Sequence, residues 1–303
     1  MPAVNPSQRI QTGETPAYDL KMKTVLETIQ GGAGYLEKRG IEKPRLNMEH
    51  LVAHVLKCKR MQLYIDFDKQ MQEAQLAPLR DLLKRRGEGE PLQHLLGDVE
   101  FRDHTFKSDS RALIPRPETE ELVDHAKAAL KRRGQNGLRI LDVGTGSGVI
   151  GLSLALELSD IISEATLADI SPDALTLAKE NAETLNAPNV RFVQTDLFEN
   201  VEGKFHLIAA NLPYIASKEI TALAIEVQKD PSLALDGGEI GTELMERFIA
   251  EVKNHLEPGG IVVMEIGIGQ EVALLEMLGA AGLSDAKSLP DISGVERFLV
   301  ATA

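Results

Sequence analysis

The chain is poor in cysteine, in continuous apolar sequence and in positive charge, and each shortage narrows what it can be. A single cysteine in 303 residues rules out an intramolecular disulfide. Cys58 lies among Lys57, Lys59 and Arg60 with no Cys-x-x-Cys partner, so a structural thiol is expected rather than a reactive one. The first thirty residues hold no apolar core of signal-peptide length, and stretches such as 261–264 fall far below the ~18 apolar residues that span a bilayer. A cytoplasmic protein with no membrane contact is expected. Acids outnumber bases 46 to 33, for a net charge of -13, and the excess is segregated. Residues 1–115 carry 18 bases and 16 acids, whereas residues 116–303 carry 15 bases and 30 acids. An acidic body repels phosphate backbones, so no direct nucleic-acid partner is expected.

What is present describes an ordinary folded protein. Hydrophobic residues make up 43% and charged residues 26%, the balance of a soluble globular chain long enough for two domains. Residues 1–20, rich in Pro, Gln, Thr and Ser, read as a flexible tail. From 21 to 90 the apolar residues recur at helical spacing, with Leu46, Leu51, Val52, Val55 and Leu56 in one segment and Leu76, Leu79, Leu82 and Leu83 in the next. This predicts a small helical bundle whose first helix is weakened by Gly31, Gly32 and Gly34. Residues 91–115 read as a hairpin linker, because Val99, Phe101, Thr105 and Phe106 flank the polar Arg102-Asp103-His104. A helix is predicted from Pro117, with acids in its first turn and Lys131, Arg132 and Arg133 before Gly134.

From there to the end, segments with strand and helix patterns alternate: strands at 139–143, 165–170, 190–194, 205–210, 260–266 and 296–301, helices at 148–158, 172–185, 243–255 and 270–281. Such alternation predicts an α/β domain over 116–303 with a parallel sheet covered on both faces, and a ligand site beyond the carboxyl ends of its strands.

The first strand runs into Asp142-Val143-Gly144-Thr145-Gly146-Ser147-Gly148 and then a helix. Glycines there allow a tight turn and a close approach of backbone to ligand. Gly146, Gly148 and Gly151 also satisfy the dinucleotide fingerprint, so the glycines alone leave two cofactors open. Asp169 ends the next strand, where a carboxylate can accept both hydroxyls of a ribose. Asp142 and the pair Asp196-Leu197, an acid beside an apolar side chain suited to an adenine ring, favour S-adenosyl-L-methionine. A cationic sulfonium also suits an acidic rim better than a pyrophosphate does.

Asn211-Leu212-Pro213-Tyr214 follows the fourth strand at the same sheet edge. An amide nitrogen is a poor nucleophile, so an enzyme that methylates one must hold it in line with the departing methyl group. Asn211 offers a carbonyl acceptor, a neighbouring backbone carbonyl offers a second, and Tyr214 can stack on a flat substrate group.

With these residues the chain resembles the protein-(glutamine-N5) methyltransferases that modify peptide chain release factors. The resemblance extends from about residue 24 through Glu90-Pro91-Leu92-Gln93-His94-Leu95-Leu96-Gly97, Leu113-Ile114-Pro115-Arg116-Pro117-Glu118-Thr119-Glu120, the glycine loop, the Asn211 motif, Leu233-Ala234-Leu235-Asp236-Gly237-Gly238 and Glu265-Ile266-Gly267. It implies a seven-stranded Rossmann-like class I methyltransferase sheet, mostly parallel with an antiparallel last strand, behind a small N-terminal helical domain. The implied reaction is methylation of the glutamine in the Gly-Gly-Gln loop of class 1 release factors, leaving S-adenosyl-L-homocysteine, a step connected with translation termination. Gly144, Thr145, Gly146, Ser147, Gly148, Asp169, Asp196 and Leu197 would line the cofactor. Asn211 would face cofactor and substrate, with Leu212, Pro213 and Tyr214 on the substrate side. Residues 21–90 would recognise the protein substrate, and a monomer is the default state.

Where the family has Asn-Pro-Pro-Tyr, this chain has Leu212, which keeps the backbone carbonyl but frees the backbone. Asn-Leu-Pro-Tyr also occurs in rRNA adenine N6-methyltransferases, the alternative reading, against which the acidic C-terminal part and the 114–120 motif both count. His50 and His54 are spaced for a shared metal but lack a third ligand, so no metal is expected. Arg116 either pairs with an acid near the cofactor or anchors the linker, the latter being favoured, and Glu265 stands near the site in either a structural or a functional role.

Overall fold

The computed structural model describes residues 23–303, and the tail at 1–20 lies outside them. The chain separates into two compact units that meet in sequence between Gly89 and Glu90. The first is built on helices α1 (Val25–Glu37), α2 (Pro44–Leu56) and α3 (Glu73–Gly87). Thr24 and Glu27 close a reciprocal capping box at the start of α1, each satisfying a backbone N–H of the other. The glycines that lower helix propensity there do not break the helix. A Cβ on Gly32 would sit 2.3 Å from Met48 Sδ, so the missing side chain is what lets α1 lie close to α2. Ile29, Leu36, Met48, Leu51, Leu63 and Leu76 fill this unit's core. Glu49, buried beside them, is held by Arg45, Arg60 and the Tyr64 hydroxyl, which together draw its carboxyl below the usual range against the cost of burial.

The second unit opens with a short helix α4 (Leu92–Leu96) and a hairpin of β1 (Asp98–Phe101) and β2 (His104–Lys107), in antiparallel register with Phe101 opposite His104. Phe101 and Phe106 meet edge-on and are buried in this unit's own core. Helix α5 (Pro117–Arg133) follows, with Gly134 in the left-handed region at its C-terminus. Then come β3 (Leu138–Val143), α6 (Val149–Glu157), β4 (Ile162–Asp169), α7 (Pro172–Leu185), β5 (Val190–Gln194) and β6 (Phe205–Asn211). They are followed by α8 (Glu243–Val252), β7 (Leu256–Glu265), α9 (Glu271–Ala280), β8 (Ser284–Pro290) and β9 (Glu296–Thr302).

Strands β3 to β9 form one sheet in the order β5-β4-β3-β6-β7-β9-β8. The first five in that order run parallel, and β9 is antiparallel to both β7 and β8. The fold is thus the seven-stranded, mostly parallel sheet with an antiparallel last strand that the resemblance implied. β8 was not foreseen from the residues. Ser-Asp-Ala-Lys-Ser-Leu-Pro has almost no apolar alternation because β8 is an edge strand, paired on one side only and largely exposed.

Alternate side chains of the central strands enter two cores, one on each face. Leu138 and Ile140 of β3 join Leu207 and Ala209 of β6 on one side, while Leu141 and Val143 join Ile208 and Ala210 on the other. The chain winds from β3 outward to β5, then returns to place β6 on the opposite side of β3. That reversal opens a crevice at the carboxyl ends of β3 and β6, where open parallel sheets bind ligands.

Candidate active site

A cavity of about 600 Å³ occupies that crevice. One wall is the loop after β3. Gly144, Gly146 and Gly148 all have positive φ, and the loop hangs from the sheet by Gly144 and Thr145 N–H bonds of 2.9 and 3.0 Å to the Ala168 carbonyl. A side chain on Gly144 would meet Leu212 Cδ2 at 2.9 Å, so glycine brings the loop against the Asn211 motif as well as towards the cavity. Asn181 of α7 braces the loop, donating to the Ser147 carbonyl at 2.9 Å and accepting the Lys107 N–H of the hairpin at 2.7 Å.

Thr145, Gly146, Ser147, Asp169, Asp196, Leu197, Asn211, Leu212 and Pro213 all line the cavity with Gly144. Asp169 Oδ2 accepts the Gly146 N–H at 2.8 Å and Oδ1 the Ser171 N–H at 2.9 Å, which ties the end of β4 to the glycine loop. Each oxygen keeps a further lone pair. Burial raises this carboxyl above its ordinary value, opposed by those N–H bonds. Asp196 pairs with Arg247 of α8 at 2.9 Å, and Leu197, at φ 47°, is turned into the wall.

Asp142 lies under the loop rather than in the cavity wall. Its Oδ2 accepts from Thr145 Oγ1 at 2.6 Å and from the Gly151 N–H at 2.9 Å, bracing the start of α6, and complete burial pushes the carboxyl up to about 6. Gly148 stands back from the cavity wall too, and a Cβ there would face Leu152 of the helix at 2.8 Å. Its glycine therefore serves the turn into α6. Tyr214 also stands outside the cavity lining: its half-buried ring packs on the second core and near Gly267. Its phenol is raised first by burial and then by the nearby Glu265 charge.

On the opposite side Thr119 and Asn211 line the cavity, and Glu265 is buried behind them. Asn211, the last residue of β6, stands in register with Glu265, the last residue of β7. Asn211 Nδ2 lies 3.0 Å from Glu265 Oε2 and 3.2 Å from Thr119 Oγ1 of α5, and Thr119 donates to Glu265 Oε2 at 2.7 Å. Burial pushes the Glu265 carboxyl up to about 7; Thr119, Asn211 and the Arg297 charge oppose this and Glu118 adds to it. In the sequence Thr119 carries no signal beyond its place in the 113–120 motif, and Glu265 fits a structural or a functional role. The signal available for Glu265 was its place at the end of the next strand, but that strand's neighbour cannot be read from chain order alone.

Arg116 lines the cavity and forms a 2.8 Å ion pair with Asp230, an acid beside the cavity that also ties down the 113–116 segment. Asp230 precedes the cavity-lining Pro231, Ser232 and Leu233, and its carboxyl is pushed up to about 6 by burial despite that cation. Among the described residues no group of three or more His, Cys, Asp or Glu is arranged to hold a metal, and no helix is long and apolar enough to cross a membrane.

A sheet of this order with a glycine-lined cavity at its switch point defines a methyltransferase, and residues 135–278 match the methyltransferase domain family. Residues 27–97 match the PrmC N-terminal domain. Release factor glutamine methyltransferase from Geobacter sulfurreducens is 36% identical over 278 residues, covering 91% of this chain and 95% of that protein. The enzyme of the same description from Deinococcus radiodurans is 37% identical over 264 residues, covering 87% and 93%. The chain belongs to the release factor glutamine methyltransferase family.

Proposed function

We propose that this enzyme methylates the side-chain amide nitrogen of the glutamine in the Gly-Gly-Gln loop of class 1 peptide chain release factors, using S-adenosyl-L-methionine. The observation that carries the reading is the Asn211 amide at the cavity wall, its NH2 turned to Glu265 and Thr119 and its Oδ1 left as an acceptor.

The residues present fit the cofactor. Gly144 and Gly146 bring bare backbone to the cavity wall, the Asp169 oxygens retain lone pairs for ribose hydroxyls, and Asp196 and Leu197 line the cavity with an acid and an apolar side chain suited to an adenine ring. When bound, S-adenosyl-L-methionine supplies an electrophilic methyl group on a sulfonium that leaves as a neutral thioether. Everything else falls to the chain's own groups. Asn211 Oδ1 and the Leu212 carbonyl accept the two amide hydrogens of the substrate glutamine, which fixes the nitrogen in line and favours the positive charge that develops on it. Leu212 in place of proline leaves that carbonyl available, since it accepts no hydrogen bond from the described residues. No strong general base is needed, because the methylated nitrogen is acidic enough to lose its proton to water. Tyr214 supports the motif by packing behind it.

Residues 21–90 are the segment we assign to substrate recognition. The turn after α2, at 60–65, exposes Met61, Tyr64 and Ile65, apolar surface suited to a protein partner. A release factor substrate, not rRNA, also agrees with the acidic charge of residues 116–303.

The test is incubation with labelled S-adenosyl-L-methionine and, separately, a release factor, its Gln-to-Ala loop variant and unmodified small-subunit rRNA, followed by mass spectrometry. Label on the release-factor glutamine and none on the variant is expected. Label on rRNA adenine instead would overturn the substrate assignment.

A further inference from the structure

We infer that Thr119 and Glu265 are positioning residues for transfer, locking the Asn211 amide with its oxygen towards the substrate; this role rests on the amide-methylation reading above. The three polar groups form a closed triangle with sides of 2.7, 3.0 and 3.2 Å. A carboxylate can only accept, so Glu265 Oε2 receives the Thr119 hydroxyl proton and an Asn211 N–H. Having given up its one proton, the Thr119 hydroxyl can only accept from Asn211. Both neighbours of the Asn211 nitrogen are therefore acceptors, and neither tolerates the amide turned over. A flipped amide would set its own carbonyl oxygen against the carboxylate oxygen and point an NH2 at the NH2 of the substrate, where no hydrogen bond can form.

The arrangement is expensive for the fold, which argues that it is kept for another purpose. Glu265 is 2% exposed, and a carboxylate buried without a formal ion-pair partner costs more than an apolar side chain of its size. The packing of that face of β7 does not require a carboxylate, since Val263, two residues earlier on the same face, is apolar and fully buried in the core. Thr119 is also buried and belongs to α5, so the triangle ties Asn211 to a helix 92 residues earlier in the chain.

The experiment compares the full-length wild type with Thr119→Val, Thr119→Ser and Glu265→Gln, measuring kcat, the KM for release factor and the Kd for cofactor. Valine keeps the shape of threonine and removes the hydroxyl. Misplacing a group that orients the reacting atom costs up to about 100-fold, so Thr119→Val is expected to lower kcat by about 10-fold or more with cofactor Kd within about 3-fold. Thr119→Ser restores kcat, because serine keeps the hydroxyl. Glu265→Gln loses at least as much as Thr119→Val, since its own amide can turn to accept or donate and so no longer dictates the orientation of Asn211.

A second readout does not depend on turnover. The side-chain NH2 resonances of Asn211, identified by their disappearance in Asn211→Asp, should exchange slowly with solvent in the wild type and fast in both lock variants. Unchanged kcat in Thr119→Val, a loss that serine fails to restore, or unaltered exchange would each overturn the positioning role while leaving the amide-methylation reading intact. Failure of the wild type to label glutamine would overturn that reading, and the role with it.

Discussion

The two walls of the cavity are made in opposite ways. On the β3 and β4 side the working surface is backbone: glycines with positive φ, N–H groups hung from the Ala168 carbonyl, and one carboxylate, Asp169, that both braces the loop and faces the ligand space. On the β6 and β7 side it is side chains, Thr119 of α5 and Asn211 of β6, with Glu265 of β7 holding both from behind. A wall of backbone suits a cofactor that must be held in one pose, with glycine making the approach possible. A wall of interlocked side chains suits an amide whose orientation decides whether the chemistry proceeds. Damage to the first should show in cofactor binding and damage to the second in turnover.

The largest break expected in this division is Asn211→Ala. Removing one preorganised polar contact to a reacting group costs ~100- to 1,000-fold in kcat, while calorimetric titration with cofactor should give an affinity within a few-fold of wild type. Comparable losses in both quantities would mean that the walls do not work separately. Asp169→Ala is the mirror case. Losing its hydrogen bonds is expected to weaken cofactor Kd by ~10- to 100-fold, at roughly 1.5–3 kcal/mol for bonds to a charged group, with most of kcat recovered at saturating cofactor.

A third prediction uses pH to separate fold from function at one residue. Glu265 holds its proton up to about 7 in the folded chain against an ordinary 4.5, so folding binds that proton more tightly. Its contribution to stability is complete below about 4.5 and is lost as pH rises through about 7, whereas the lock on Asn211 needs the ionised form. Activity should therefore fall as pH drops through about 7 while this group's share of stability rises. Chemical denaturation of wild type and Glu265→Gln across pH 5 to 8 should show the variant gaining relative stability, by at most about 1.4 kcal/mol per pH unit, with a low and flat rate profile. Arg297 and Glu118 also face the carboxyl, from β9 and α5, and a profile that shifts with Arg297→Gln but not with Glu265→Gln would assign the titration elsewhere.

The smallest effect concerns the backbone wall alone. Gly144→Ala places a Cβ at φ 70°, 2.9 Å from the movable end of Leu212. About 1–2 kcal/mol of stability should be lost from the left-handed backbone, with cofactor Kd affected more than kcat. Pairing it with Leu212→Ala should recover part of the loss if the contact, and not the backbone alone, is responsible.

Much of the architecture was legible in local sequence. The hairpin, α5 with its acidic start and its Gly134 stop, the central strands and the glycine turn each carry a signal within a few neighbouring residues. Where local rules failed, tertiary packing had overridden them. The glycines of α1 look like helix breakers but include a contact face for Met48, and β8 lacks alternation because half of it meets solvent. Asp142 is recognisable from sequence only as an acid before the glycines, and alternation along β3 turns it to the α6 face, under the loop.

The sequence by itself determined the class of chemistry. Glycines at a strand-to-helix turn, an acid at the end of the next strand and Asn-Leu-Pro-Tyr after the fourth are short-range patterns, each set by what its own few residues can do. Only the tertiary structure decided which way the Asn211 amide faces. That depends on β7 lying in register beside β6 and on α5 crossing their ends, contacts spanning 54 and 92 residues of chain, and no local preference encodes them.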